Sequence, residues 1–473
     1  MNDNVSLEEK NTKEEIIEQT EGGAERNAAP FCRHEKDHCV EGDLAEKSSK
    51  REWKPWMKFL MLGVTLIMTF LVGAFATWTS LDPEIRSLIK VKNKIDAEYF
   101  EEISDDEFYD VIFDAISNDL LDAYSWYMTE EEYADTKKAA QGNRSGFGMS
   151  FTTEDVATLR ISRVGGNSPA ENVGIVSGEK ILGGGKTADT VTAFSTYDEF
   201  SSFVGTCATG EKVYLKIQGA NGERLVEIAR AAYVENYVYY RTKEKAYRFS
   251  GAQALDLVEG GLPLAALPSD TAYLRLTSFN GGAAKQVGKA MELFRTEGKK
   301  NLVLDLRGNG GGYMHILQTI AQYFCKTATD AKPLVSVADF NDHKQSFIAD
   351  GNVYGKYFGS DSRVCVLADN NSASASECLL GAMLDYQTIS YGDICLSERN
   401  GVAKTYGKGI MQTTFQLPFG RDAIKLTTAR VLWPTSGNCI HGIGILPSDG
   451  AVTVSENAND DMEIAAAIQK LGL

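Results

Sequence analysis

Residues 59–78 (FLMLGVTLIMTFLVGAFATW) run for twenty positions without a charge. A helix of that length spans about 30 Å, the thickness of a hydrocarbon core. Trp53, Trp56 and Trp78 stand at its two ends, where interfacial aromatics sit. Beyond it apolar residues recur at intervals of three and four, first Ile85, Leu88, Ile89 and Val91, then Phe108, Val111, Ile112, Ile116 and Leu120. That period predicts helix across 83–140. After Gln141 the pattern turns to alternating segments bounded by glycine, and 158–162, 212–217 and 224–228 read as strands. From about 233 onward, strands (272–276, 301–306, 363–367) alternate with helical segments (283–295, 376–384), which predicts an α/β core.

These shifts divide the chain into a polar, acidic tail (1–55) too poor in aromatics to fold, a transmembrane helix (56–79), a helical region (80–141), a glycine-rich β domain (142–232) and the α/β core (233–473). The expected class is therefore an α/β (α+β) multidomain protein. Lys47, Lys50, Arg51, Lys54 and Lys58 flank the apolar run on one side, Asp82 and Glu84 on the other. The bias puts the N-terminus in the cytoplasm and everything beyond about residue 80 outside the cell membrane. Ala74-Phe75-Ala76 resembles a signal-peptide cleavage site, but the leader before the run is more than fifty residues, too long for a signal peptide. The run is read as a single-pass anchor.

A net charge of −17 argues against nucleic acid as a partner, since a phosphate backbone needs a basic face. Eight cysteines in 473 residues do not make a disulfide scaffold. Most read as buried apolar residues, with Cys395–Cys439 the candidate bridge. Cys32, His34, His38 and Cys39 are a ligand set zinc accepts, but eight residues are too short a loop to set all four tetrahedrally, and a solvated tail is preferred. No metal and no cofactor is expected. Residues 182–187 (LGGGKT) imitate a phosphate loop, yet the glycine that motif requires at 180 is Lys180.

The chemistry concentrates in two stretches. Residues 370–378 (NNSASASEC) place Ser372, Ser374 and Ser376 at alternate positions. Residues 406–412 (YGKGIMQ) hold Lys408 between two glycines. A serine becomes a nucleophile when a neighbour takes its proton, and a lysine can do so once burial brings its pKa down by several units from about 10.4. Spacing does not choose among the three serines, whose ordinary role would be bonding to backbone from one side of a strand or turn. Residues 305–312 (DLRGNGGG) follow an apolar strand, and their amides can form part of an oxyanion hole. His315 and His441 are the candidates for a Ser-His alternative, with His315 more often a packing residue. Glu377 and Asp449 read as structural.

Two resemblances sharpen the picture. Residues 146–151 (GFGMSF) and 167–181 (NSPAENVGIVSGEKI) resemble a PDZ domain of the circularly permuted kind found in bacterial proteases, with Glu179 where Asp is more usual. It implies that Gly146, Phe147, Gly148 and Met149 receive the end of an extended peptide. The order of 122–133, 273–279, 305–312, 372–377, 406–412 and 441–447 is similar to that of the carboxy-terminal processing proteases, the S41 peptidases, over about 83–473. That resemblance implies Ser374 as nucleophile, Lys408 as general base, Gln412 orienting the lysine, and an oxyanion hole from Ala375 with Gly310 or Gly311. Asp385 matches a supporting carboxylate of some members. The segment before Lys408 is longer than usual, which leaves Lys404 as a second candidate base. The expected protein is a membrane-anchored serine endopeptidase that binds exposed C-termini of substrate proteins through its PDZ domain. The alternative is a catalytically inactive peptide-binding scaffold. The helical segment 83–140 offers a surface for a homodimer.

Overall fold

A computed structural model describes residues 54–151, 153–326, 332–349, 353–398, 401–418, 420–448, 451–453 and 461–472. The zinc-like set Cys32, His34, His38 and Cys39, the flanking Lys47, Lys50, Arg51 and Trp53, and Asp449 lie outside the described residues. Among the described residues, those up to 102 and those from 103 onward form two separate units. The first holds the helix Pro55–Ser80, 26 residues long and containing an 18-residue stretch of mean hydropathy 2.3, which is long and apolar enough to cross a membrane. A second helix, Pro83–Glu98, starts on Asp82, whose carboxylate accepts the Glu84 amide.

The unit 103–473 opens on the helix Asp105–Ala115, capped by Ser104 and ending in a π-helical turn, Ile116–Leu120. The helical period does not continue to 140. Trp126–Met128 is a strand in register with Ala423–Lys425, and helix resumes only at Glu130–Ala140, behind a Thr129/Glu132 capping box. The aromatic triplet Trp126-Tyr127-Met128 suits a pleated surface better than a helix, and the turn at Asp122–Ser125 breaks the period.

Asn143–Gly146 pairs with Ala231–Val234 and forms a neck. Beyond the neck lies a separate apolar core built from Phe147, Ile161, Ile175, Ile181, Phe200, Val213, Leu215, Ile217 and Ile228. Its sheet orders Thr192–Ala193, Lys180–Gly185, Lys212–Gly219 and Gly222–Ala229. The phosphate-loop imitation is thus a strand, and Lys186 after it bonds Glu211 and the Thr206 carbonyl. The expected strand 158–162 is replaced by a turn with Leu159 at φ +53°, leaving a single bridge from Arg160 to Lys180. Ser168 caps a short helix, Pro169–Asn172.

The remainder is built on an eight-stranded sheet. In order across it run Asp256–Glu259, Ala246–Ser250, Val238–Arg241, Thr271–Leu276, Asn301–Asp305, Val364–Ala368, Ile394–Glu398 and Val452–Thr453. The last five are parallel. Alternate residues serve opposite faces: Leu302, Leu304, Val364 and Val366 meet the helices Ala283–Thr296, Met314–Phe324 and Ala375–Asp385, whereas Val303, Cys365, Leu367 and Cys395 meet Met462–Lys470. The period-two register also corrects the cysteine pairing. Cys395 lies against Cys365 on the adjacent strand, Sγ to Sγ 3.6 Å, with both thiols free, and the Cys439 thiol points at the Gly409 carbonyl. A second sheet runs Trp126–Met128, Ala423–Leu432, Pro333–Asp339, Lys344–Ile348, with Ile410–Gln416 also paired to Ala423–Leu432.

Candidate active site

Two parallel strands end at the site, as open α/β sheets tend to arrange. Asn301–Asp305 leads into the glycine turn and Val364–Ala368 into the serine loop. Asn309 binds the two together. It is fully buried; its side-chain amide donates to the Leu276 carbonyl at 2.8 Å and its Oδ1 accepts the Gly311 amide at 2.9 Å. Its own carbonyl accepts the Ala373 amide and the Ser376 hydroxyl at 3.0 and 2.8 Å.

The three serines separate by environment. Ser372 and Ser376 are fully buried and donate to the carbonyls of Leu306 and Asn309, both at 2.8 Å. Ser374 is half-buried and sits at φ +55°, ψ −114°, where a residue with a Cβ is strained by about 1–3 kcal/mol. It stands immediately before the helix Ala375–Asp385. The three do not line one side of a strand, because the chain turns sharply at the middle one.

Strain of that kind persists only when the surroundings enforce it. Glu377, fully buried, does so: its Oε2 accepts the Ser374 amide at 2.9 Å and the Lys408 amide at 2.9 Å. Its Oε1 accepts the Thr405 hydroxyl at 2.5 Å and the Gly407 amide at 2.7 Å. Gly311 packs against the serine so closely that a Cβ on it would stand 2.8 Å from the Ser374 Cβ and 2.9 Å from the Ala375 nitrogen. Gly311 spends its amide on Asn309, whereas the amides of Gly310 and Ala375 have no acceptor among the described residues.

Lys408 is half-buried. Burial, reinforced by the like charge of Lys425 and opposed by Asp122, brings its pKa down to about 8. Its Nζ lies over the Tyr124 ring, 4.2 Å from the centroid, and no hydrogen bond joins it to Ser374 or Gln412. The Tyr124 hydroxyl is 3.1 Å from that of Tyr406, and its own pKa is pushed up to about 12 by burial and by Tyr406. Lys425 sits in the same way over Trp126, 4.0 Å from the ring centroid, and burial lowers its pKa too. Gln412 donates to Thr427 at 3.2 Å, and Ser125 accepts the Thr427 amide at 2.8 Å. The other candidate base, Lys404, is turned away, its Nζ on the Ile443 carbonyl at 3.1 Å.

Residues 270–449 match the sequence profile of Peptidase family S41. They are an S41 peptidase domain. A probable CtpA-like serine protease of Staphylococcus saprophyticus is 26% identical over 429 residues, 86% of this chain and 77% of that protein. The chloroplastic C-terminal processing peptidase of Tetradesmus obliquus is 28% identical over 336 residues, 69% of this chain and 64% of that protein. Among solved structures, a photosystem II D1 C-terminal processing protease aligns with a TM-score of 0.48 and 22% identity, over 81% of this chain and 91% of that one. By family the chain is a serine-type peptidase.

Within the S41 domain the other candidates have different surroundings. His315 is not a packing residue; it is exposed beside the Tyr313 ring, and His441 is exposed as well. Asp385 ends the helix that Ser374 begins, and it accepts the Thr435 and Ser436 amides at 2.8 and 2.9 Å, fixing that loop. Outside the S41 domain, Gly146, Phe147, Gly148 and Met149 line a cavity of about 320 Å³ with Tyr197, Phe200 and Val204. The amides of Phe147 and Gly148 have no acceptor among the described residues. Gly148, at φ +85°, leaves no room for a Cβ, which would fall 2.1 Å from the Ser168 Cβ. Arg144 and Arg163 border the same cavity and both pair with the buried Glu235.

The sequence reading missed Asn309, Tyr124, Asp122 and Lys425 as site residues. Tyr124 and Trp126 are two apart, a strand-like spacing that would have placed both on one side, but nothing in the sequence ties them to lysines some three hundred residues away.

Proposed function

We propose that the chain is a membrane-anchored serine endopeptidase that works through Ser374 and Lys408. In this reading the neutral Lys408 amine leaves the Tyr124 ring, takes the Ser374 proton, and Ser374 attacks the scissile carbonyl. The resulting oxyanion is received by the amides of Ala375 and Gly310, and Gln412 steadies the amine once it faces the serine. As the intermediate collapses and the scissile C–N bond breaks, the Lys408 ammonium gives that proton to the leaving amine; water then hydrolyses the acyl-enzyme, with the neutral Lys408 again the base. The observation that carries this reading is the strained, partly open Ser374 held with Lys408 on one buried carboxylate, beside two unspent amides.

Residues 142–232 are proposed as a PDZ-like domain that captures a substrate's C-terminus. The free amides of Phe147 and Gly148 receive the carboxylate, and Phe147, Phe200 and Val204 receive the last side chain. The helix Pro55–Ser80 is proposed as the anchor, with the catalytic unit extracytoplasmic and the N-terminus in the cytoplasm. The test is cleavage of an unfolded protein with a free C-terminus by the wild type, Ser374→Ala and Lys408→Ala. Loss of cleavage in both variants is expected; equal cleavage by all three would reject the peptidase reading in favour of a scaffold.

A further inference from the structure

Cys365 and Cys395 stand on neighbouring parallel strands, Val364–Ala368 and Ile394–Glu398. Leu367 is the register partner of Cys395, so Cys365 sits two positions before that partner, and the two side chains leave the same face of the sheet. Their sulfurs are 3.6 Å apart. Both residues are sealed, 0% and 1% exposed, in an apolar layer with Val303, Leu367, Ile464, Ala467 and Leu471. The thiols of Cys207 and Cys439, by contrast, face the backbone carbonyls of Phe203 and Gly409.

Two sulfurs join at about 2.05 Å, and the bond needs side chains that converge. Same-face neighbours on one sheet supply the convergence, and roughly 1.5 Å is left to close, within reach of rotating the two side chains. The span between the two cysteines holds the serine loop, Ser374 and the whole helix Ala375–Asp385. A bond between the sulfurs would close that span into a loop anchored at both ends on the sheet. The segments that carry Lys408 and Gly310 lie outside it.

We propose that Cys365 and Cys395 form a disulfide once the catalytic unit is outside the cytoplasm, a staple that closes the loop carrying Ser374. The proposal rests on the extracytoplasmic placement above, because disulfides persist in oxidising compartments and are rare in the cytosol. The oxidant is a second disulfide, of a thiol oxidoreductase or a small molecule, and it acts while the chain folds, before the helix Met462–Lys470 covers the pair. One cysteine thiolate attacks that disulfide and expels the first thiol; the other thiolate then displaces the second thiol from the mixed disulfide. One S–S bond breaks and one forms. The two cysteines give up two electrons, and their two protons leave on the two thiols released. The helix then seals the bridge from reductant for as long as the unit stays folded.

The test is thiol trapping on the full-length protein in the cells that express it. Cells are quenched in acid, the protein is alkylated with iodoacetamide in denaturant, and it is digested without reductant. The expected product is a linked pair of peptides holding Cys365 and Cys395, two hydrogens lighter than the two thiol peptides together, while Cys207 and Cys439 carry the label. A membrane-impermeant amine label applied to intact cells reports the placement in parallel. If it marks lysines of the catalytic unit while Cys365 and Cys395 are both alkylated, the bridge is overturned and the placement stands. If it marks none, the placement is overturned and the bridge with it. Melting gives a second reading on the purified full-length protein. Reductant, which reaches the sulfurs only as the unit opens, is expected to lower the wild-type Tm by about 5–10 °C and to leave a Cys365→Ala/Cys395→Ala double variant unmoved. A wild type equally unmoved overturns the staple.

Discussion

The amides of Ser374 and Lys408 donate to the same oxygen, Oε2 of Glu377, each at 2.9 Å. One buried carboxylate thus sets the spacing of the two loops that carry the proposed nucleophile and base, and it holds Ser374 in its left-handed conformation. Glu377→Ala leaves four donors, two of them buried, without their acceptor and is expected to lower kcat by about 10²-fold or more with Ser374 and Lys408 both present. Glu377→Gln keeps the shape but turns one acceptor into a donor facing amide N–H groups, and is expected to behave nearly as badly. Steady-state cleavage, with folding checked by circular dichroism, measures both.

The base has a charge environment that predicts opposite shifts from two neighbours. As the proposed base, Lys408 would act only when neutral, so cleavage is expected to rise with pH through its pKa, at about 8. Lys425 disfavours the ammonium. Lys425→Met should raise the Lys408 pKa, move the rise in kcat/KM to higher pH and lower activity at pH 7. Asp122 favours the ammonium, and Asp122→Asn should move the rise to lower pH. A pH profile of kcat/KM for the two variants checks the signs; shifts in the same direction would contradict the assignment of Lys408 as base.

Much of this site was legible in the sequence, and the rest was hidden for identifiable reasons. The glycine turn and the Gly-Lys-Gly element are local features, and local features survive reading in one dimension. Spacing left the three serines equivalent and only the family resemblance pointed to Ser374; the structure adds the backbone angle that sets it apart. Ser372 and Ser376 are fully buried and have the carbonyls of Leu306 and Asn309 within reach, and those come from another loop. Tyr124 and Asp122 reach Lys408 because Trp126–Met128 pairs with Ala423–Leu432, a contact between distant segments that no periodicity encodes. The short strand Trp126–Met128 reads as helix in the sequence because the apolar period on either side of it is helical. Cys365 and Cys395 meet because their strands are neighbours in the sheet, whereas Cys439 was paired with Cys395 on sequence alone.

Gly311 permits the glycine turn, the proposed oxyanion turn, to lie against the serine. At φ +100° a side chain is strained, and a Cβ would press on the Ser374 Cβ, the Ala373 carbonyl and the Ala375 nitrogen, all within 2.9 Å. Gly311→Ala is expected to displace an oxyanion donor and cost about 10²–10³ in kcat, with KM little changed. Gly310→Ala has open space around its Cβ position and is expected to stay within about tenfold of wild type. Parallel kinetics on the two adjacent substitutions separate a crowded turn from one that merely dislikes side chains.

Acid should unfold the catalytic unit partly through Asp305. Burial alone would raise the pKa of this fully buried carboxyl, but Arg307, bonded to it at 2.7–3.0 Å, and Arg275 hold it down at about 2. Arg307 reaches on to Asp461 and Glu463 at the start of the helix Met462–Lys470, so the ion pair also ties that helix to the glycine turn. With an unfolded pKa near 3.9 and a folded one near 2, the group contributes roughly 2–3 kcal/mol that is fully present above pH 4 or so and fades as pH falls through about 2. Asp305→Asn removes a charge that Arg307 is built around and should cost about 3–5 kcal/mol at pH 7. It should also flatten the fall in stability between pH 4 and 2, since no proton is then taken up there. Urea midpoints for wild type and variant at pH 7, 4 and 3 measure both effects. A variant that loses stability in parallel with wild type across that range would show that other carboxylates carry the acid transition.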